Sequence, residues 1–188
     1  VGESPGSNER FAGVPFVGES GEILWGTTRQ FGITRDQVYV TNVVKCYAPS
    51  TSKNSTLGAA ARICRKRLLD ELAEHGVKWV LALGNEALEA LTGLRGITKF
   101  AGHPQVVTNG DQTLRVLPAV HPASMLYVGE GLAAKFYLDF ARYVGYWVNE
   151  CRAPETKPLF RDYQVIDSEA EALTFLKSLK AHEFVAVD

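Results

Sequence analysis

One short apolar run constrains the fold more than any other feature of this sequence. The stretch "VKWVLALG" (77–84) is nearly continuous in apolar residues, which is typical of a strand buried on both faces of a sheet. A helical pattern precedes it over 62–76, and a second one follows over 85–93, with Asn85 as the expected N-cap and Gly93 as the stop. Alternation of this kind favours an α/β fold, so we predict a three-layer α/β/α domain with a central, mostly parallel sheet.

Polar residues follow the predicted strands at the points where those strands end. Further strands are predicted over 37–42 and over 113–120, where Pro118 indicates an edge or an end, and a closing helix is predicted over 132–150. Open sheets of this type bind ligands at the carboxyl ends of their strands. The residues at those ends are expected to face one rim, and they are Gly2, Glu3, Asn42, Gly84 and His121.

Charge and cysteine content limit the class of protein. The net charge of −1 over 188 residues means that a nucleic-acid role would need a local basic patch. No apolar run is long enough to span a membrane, and no secretory signal is visible. Three unevenly spaced cysteines do not predict a disulfide framework. We therefore expect a cytoplasmic monomer without a membrane partner.

The sequence changes character near Cys151. The stretch "CRAPETKPLFRDY" contains two prolines and mixed charge without a period, which is typical of a linker. We predict a main domain over 1–149, a linker over 150–163, and the beginning of a second domain over 164–188.

Four motifs occur in order along the main domain. They are "GESPG" (2–6), "GVPFVGESGEIL" (13–24), "YVTNVVKC" (39–46) and "AVHPASML" (119–126). Together they resemble the family 4, or iron–sulfur, uracil-DNA glycosylases over roughly residues 1–122. The resemblance implies hydrolysis of the N-glycosidic bond of deoxyuridine in DNA, with release of uracil and formation of an abasic site. It implies no nucleotide cofactor.

The pocket residues have side chains suited to a flipped uracil. A glycosylase extrudes its target base, and Phe16 offers an apolar face on which that base can stack. The Asn42 amide matches N3–H and O4 of uracil, whereas cytosine presents the opposite pattern of donors and acceptors. Gly2 and Ser4 are expected to complete the uracil-binding loop. The alternatives are a core position for Phe16 and a turn-forming role for Asn42.

Two residues are candidates for catalysis. The resemblance implies that His121 hydrogen-bonds to uracil O2 while negative charge develops on the departing base. Glu3 is the candidate for orienting or activating the attacking water. Related families carry an aspartate where this chain has Ser4, so the identity of the general base stays open.

A second group of residues is expected to contact DNA. Pro5 and Gly6 would shape a loop that lets backbone amides approach the base or a phosphate. Family members often carry an arginine where this chain has Tyr127, so one phosphate contact is expected to be missing. The motif after His121 would hold the DNA and fill the gap left by the flipped base, and its candidate residues are Pro122, Ser124, Met125 and Leu126.

Cys46 and Cys64 match the second pair of iron–sulfur ligands in this family. A 4Fe–4S cluster takes four thiolates, and the first pair in the family lies upstream of the first motif. We therefore expect the cluster in the parent protein, with Cys46 and Cys64 as an incomplete set here. Two buried structural cysteines are the alternative.

The end of the sequence resembles another enzyme. "EFVAVD" (183–188) is similar to the first core strand of a polymerase-I-like 3′–5′ exonuclease, in which the aspartate corresponding to Asp188 binds metal in the intact domain. This predicts a parent in which the glycosylase is fused to exonuclease and DNA polymerase domains. The rival function is a non-catalytic module that reads uracil in the template for an attached polymerase.

Overall fold

The computed structural model describes residues 1–47 and 53–152. The predicted second domain over 164–188, including Asp188, lies outside these residues, as does the linker beyond Arg152. None of the helices in the described part of the chain is long and apolar enough to cross a bilayer. The elements are α1 (Ser7–Ala12), α2 (Glu19–Gln30), α3 (Lys53–Glu74), β1 (Trp79–Leu83), α4 (Asn85–Thr92), α5 (Ile97–Phe100), β2 (Gln105–Asn109), β3 (Gln112–Ala119) and α6 (Glu130–Arg152).

The sheet has the strand order β1-β3-β2, with β1 parallel to β3 and β2 antiparallel to β3. The first residues of the chain extend it on the other side of β1, where the Val1 nitrogen donates to Leu81 O and Leu83 N donates to Val1 O. Gly2 in turn forms a parallel bridge with Asn42. Within the described residues, the β1–β3 ladder and the Gly2–Asn42 bridge are parallel and the β2–β3 ladder is antiparallel, in agreement with the predicted mostly parallel sheet.

Helices cover both faces of this sheet. On one face, α3 and α4 pack against alternate strand residues such as Val80 and Val116. On the other face, α2 and α6 pack against Leu81 and Leu117, with Phe140 as the largest fully buried side chain. The alternation of Val80 with Leu81 sends neighbouring side chains into opposite cores. The predicted three-layer α/β/α class is confirmed.

The segment predicted as a strand over 37–42 takes a different form. Arg35–Gln37 is a turn of 3₁₀ helix. The pairing is the bridge between Gly2 and Asn42, with backbone bonds from Gly2 N to Thr41 O, from Val43 N to Gly2 O and from Val44 N to Glu3 O. The extended backbone still brings Asn42 to the carboxyl edge of the sheet.

The structure differs from the sequence predictions at one helix cap, one strand and one helix end. Gly84, with φ +90°, is the N-cap of α4, while Asn85 Oδ1 accepts from Gly96 N and Ile97 N at the start of α5. Strand β2 was not predicted, although Gly110, with φ +58°, closes its hairpin with β3. Helix α6 continues to Arg152, so the first three residues of the predicted linker are helical.

Candidate functional site

The carboxyl edge of the sheet borders a cavity of about 570 Å³. The segments that line it are the loop after Val1, helix α1, the loop before α2 with the first turn of α2, the bridge at Asn42, and the 3₁₀ helix Pro122–Leu126 that follows β3. The predicted site residues that line this cavity are Glu3, Ser4, Gly6, Phe16, Asn42, His121, Ser124 and Leu126. Of the five residues expected at the strand ends, Glu3, Asn42 and His121 line this cavity, and Gly2 and Gly84 are not among its lining residues.

Gly2 lies directly behind the cavity and has room for no side chain. A Cβ atom at this position would be 2.5 Å from Asn42 Oδ1 and 2.6 Å from the Phe16 ring. Both neighbours are themselves buried, Phe16 being 5% and Asn42 6% exposed. The glycine thus allows the amide and the aromatic ring to approach each other closely across the backbone.

Phe16 is held in a backbone conformation that non-glycine residues seldom adopt. Its φ is +56°, in the left-handed region. Two side chains bond to its carbonyl oxygen, since Trp25 Nε1 donates at 2.9 Å and Arg35 Nη1 donates at 3.2 Å. The Arg35 guanidinium lies over the Trp25 ring and also donates to Pro15 O. Sequence reasoning missed both side chains, because no local pattern connects them to Phe16.

Two more residues shape the turn that carries Phe16. A Cβ atom on Gly21 would lie 2.2 Å from Phe16 O, so α2 approaches this turn as closely as its backbone permits. The Glu9 carboxylate accepts from Val17 N at 3.0 Å and from Gly18 N at 3.2 Å, at the start of α2. The turn is therefore fixed from both sides, which offsets the unfavourable backbone angle of Phe16.

His121 is the N-cap of the 3₁₀ helix, and its ring has a defined tautomer. The Nδ1 atom accepts from Ala123 N at 3.1 Å, so a neutral ring carries its proton on Nε2. The ring is stacked near that of Phe16, with centroids 5.8 Å apart and planes 21° from parallel. The donor nitrogen and the aromatic face thus belong to one side of the cavity.

A charged cluster supports the backbone at Asn42. Lys45 Nζ donates to Asn42 O at 2.7 Å and also to Thr41 Oγ1 and a Glu71 carboxylate oxygen. Burial alone would raise the pKa of Glu71. The hydrogen bond and the charge of Lys45, together with Thr41 and Arg67, outweigh burial and hold this pKa below its usual value of 4.5.

The variant Glu71→Gln is expected to lower the free energy of unfolding by about 1–2 kcal/mol at pH 7, because it removes the charged partner of Lys45. A lowered folded-state pKa gives stability that is present above the unfolded value and disappears as the pH falls through the folded one. The difference between variant and wild type should therefore be smaller at pH 3 than at pH 7. Urea unfolding at both pH values measures it, with Glu74→Gln on the same helix as the control. An equal difference at both pH values would contradict the charge pairing.

The residues predicted to contact DNA fall into two groups. Leu126 is 40% exposed and lines the cavity, whereas Met125 is 8% exposed and packs in the core with Phe140. Pro122 is buried, and Pro5 lines an adjoining cavity of about 340 Å³. On this turn Leu126, not Met125, is the apolar side chain open to a ligand.

The cysteines of the described residues do not make a complete cluster site. Cys46 is exposed and Cys64 is half-buried, so neither fits the alternative of a fully buried structural cysteine. A 4Fe–4S cluster takes four thiolates, and the whole sequence contains three cysteines. Within 1–47 and 53–152, no group of three or more His, Cys, Asp or Glu is placed to hold a metal. The residues present therefore supply at most an incomplete set of ligands for this cluster.

Comparison with known proteins agrees with this geometry. The model of the uracil DNA glycosylase superfamily matches residues 1–145. The type-4 uracil-DNA glycosylases of Sulfurisphaera tokodaii and Thermotoga maritima are 33% and 36% identical, over 68% and 67% of this chain. The Archaeoglobus fulgidus type-4 enzyme is 30% identical over 76% of the chain and 72% of its own length.

The match does not extend over the whole of these relatives. The chain spans 60% of the Sulfurisphaera protein and 64% of the Thermotoga protein, which is less than two thirds of either. The family model nevertheless matches well over half of this chain and includes every residue that lines the cavity. The chain belongs to the uracil DNA glycosylase superfamily.

Proposed function

We propose that this protein is a uracil-DNA glycosylase of base excision repair, hydrolysing the bond between uracil and deoxyribose in DNA. The observation that carries the proposal is the meeting of Phe16, Asn42 and His121 at one cavity. They supply an aromatic face, an amide and an imidazole donor, which are the groups needed to hold a flipped uracil. The similarity to three type-4 uracil-DNA glycosylases supports the same activity.

Recognition of the base is assigned to Asn42 and Phe16. The amide oxygen of Asn42 would accept from uracil N3–H, and its amide nitrogen would donate to O4. Cytosine has an acceptor at N3 and a donor at C4, so the same amide would be left with unpaired groups. The packing of the amide oxygen against Gly2 supports this role, because it limits where the side chain can lie.

His121 is assigned to the leaving group. The C1′–N1 bond breaks and its electron pair goes to the base, so negative charge develops on uracil O2. The Nε2–H of a neutral His121 would donate to that oxygen and stabilise the charge without transferring a proton. The bond from Ala123 N to Nδ1 supports this assignment because it fixes the donor nitrogen.

Glu3 is assigned to the water. The water oxygen bonds to C1′ as uracil departs, and a carboxylate near that water would accept its proton. Glu3 is half-buried and lines the cavity, which supports this role. Its backbone carbonyl oxygen accepts a hydrogen bond from Val44 N at 2.9 Å. Ser4 lines the same cavity beside it and is assigned with Gly2 to the uracil-binding loop.

The parent protein is proposed to contain more than this domain. Cys46 and Cys64 would provide two of four ligands to a 4Fe–4S cluster completed by an upstream segment. The resemblance of "EFVAVD" to an exonuclease strand supports a fusion with exonuclease and polymerase domains, in which Asp188 would bind metal. Such a protein would act in the cytoplasm of a bacterial or phage-infected cell.

The test is an excision assay. The full-length protein is incubated with an oligonucleotide that contains one uracil, and alkali then cleaves any abasic site. We expect cleavage at the uracil position, and no cleavage of matched oligonucleotides with thymine or cytosine there. Tight binding of the uracil oligonucleotide without cleavage would overturn the proposal in favour of the non-catalytic reader.

A further inference from the structure

The charge around the cavity does not favour DNA binding through phosphates. Among the described residues that line it, three carry carboxylates, Glu3, Glu9 and Glu19, and none is a lysine or an arginine. The basic residues Arg10 and Lys45 line the adjoining cavity instead, where Arg10 lies over the Tyr47 ring and Lys45 is paired with Glu71. Affinity at the cavity mouth therefore has to come from contacts other than ion pairs.

An exposed aromatic side chain stands at this mouth. Tyr127 lines the cavity and is 85% exposed, whereas Phe16 lines the same cavity and is 5% exposed. One cavity thus has an aromatic ring in its interior and another at its opening. Proteins that bind single strands stack successive bases on aromatic side chains, and this contact is made with the base rather than with the phosphate.

The backbone that presents Tyr127 is anchored. Tyr127 ends the 3₁₀ helix Pro122–Leu126, which begins with the bond from Ala123 N to His121 Nδ1 and buries Met125 in the core. The exposed ring is therefore attached to a firmly packed turn. A platform of this kind loses little conformational entropy when a base stacks on it.

We propose that Tyr127 stacks on the nucleobase next to the flipped uridine, and that this contact gives the protein a preference for single-stranded DNA. The inference rests on the proposed function, because it takes Phe16 to hold the target base. In a duplex the neighbouring base is held in place by its pairing and by stacking on the side away from the flipped uridine, so it cannot readily move onto the Tyr127 ring. In a single strand the neighbouring base can move to stack on that ring.

The test compares binding of two single strands to wild type and to Tyr127→Ala. Both strands carry 2′-fluoro-2′-deoxyuridine, whose glycosidic bond resists hydrolysis, and one has abasic spacers beside it in place of the neighbouring bases. We expect Tyr127→Ala to weaken binding of the intact strand about 5- to 100-fold, and to leave binding of the spacer strand unchanged. Tyr127→Phe should bind like wild type. Leu138→Ala, 69% exposed on α6, is the control.

Two further measurements complete the experiment: the salt dependence of binding, and binding to the matching duplex. Tyr127→Arg should bind with a log K that falls more steeply with log salt, by about 0.7, because it gains one phosphate contact. The Tyr127→Ala loss should be smaller for the matching duplex than for the single strand. Equal losses with the intact and spacer strands would overturn the stacking role, and equal losses with single strand and duplex would overturn the preference.

The two proposals fail in different ways. If excision is absent but the loss at Tyr127 still depends on the neighbouring base, the stacking role stands and the glycosylase proposal falls. If excision is present and Tyr127→Ala binds both strands like wild type, the stacking role falls and the glycosylase proposal stands. Failure of the wild type to bind any uracil strand would overturn both.

Discussion

His121→Ala is expected to lower kcat for uracil excision about 100- to 1,000-fold, the typical effect of removing one hydrogen-bond donor from a developing oxyanion. The structure gives the reason in atomic terms. The Nδ1 atom accepts from the Ala123 N–H, so the hydrogen-bond donor that the substitution removes is Nε2–H. KM should change much less than kcat, because the interaction strengthens only as charge develops on the base.

The chain contains its own matched control for this variant. His103 also precedes a proline, but it is exposed and its Nδ1 lies near Ala101 O in a loop before β2. His103→Ala should keep the activity of wild type. Multiple-turnover excision at saturating oligonucleotide measures kcat for both variants, and circular dichroism checks that they are folded. Loss of activity in both variants, or in neither, would remove His121 from the proposed mechanism.

Gly2→Ala is expected to lower kcat/KM for uracil at least 100-fold. The added methyl group would lie 2.5 Å from Asn42 Oδ1 and 2.6 Å from the Phe16 ring, so one or both must move. Displacement of a substrate-binding group by about 1 Å is enough to cost about 100-fold in rate. Stability should also fall, by about 1–3 kcal/mol, since the site is already closely packed.

Gly131→Ala is the control for this substitution. Gly131 lies in the first turn of α6, and a Cβ atom there meets nothing within 4 Å. That variant should have wild-type activity and equal or greater stability, because alanine favours a helix. The measurements are kcat/KM on the uracil oligonucleotide and urea unfolding of both variants. A Gly2→Ala protein with full activity would show that the amide and ring do not need their present positions.

The sequence alone indicated the layers and the location of the site. A continuous apolar run flanked by helical patterns predicts a covered parallel strand, and the residues at strand ends predicted that Gly2, Asn42 and His121 would share one edge. Both predictions depend on local periodicity, which is encoded in consecutive residues. The secondary-structure prediction was least accurate over 37–42, where the sequence pattern is typical of a strand but the structure has a single bridge, at Asn42.

The sequence by itself determined which residue types lie at the edge of the sheet. The reason is that the periodicity of apolar residues in strands and helices indicates where each element ends. Only the tertiary structure decided how those residues are held. Arg35 bonds to the Phe16 carbonyl from 19 positions away, and Glu71 pairs with Lys45 across 26 positions. Tertiary packing also decided that Met125 is buried while Tyr127, two residues later, is exposed. Contacts between residues that are distant in sequence produce no periodic pattern in consecutive residues. Such contacts therefore become visible only in the packed structure.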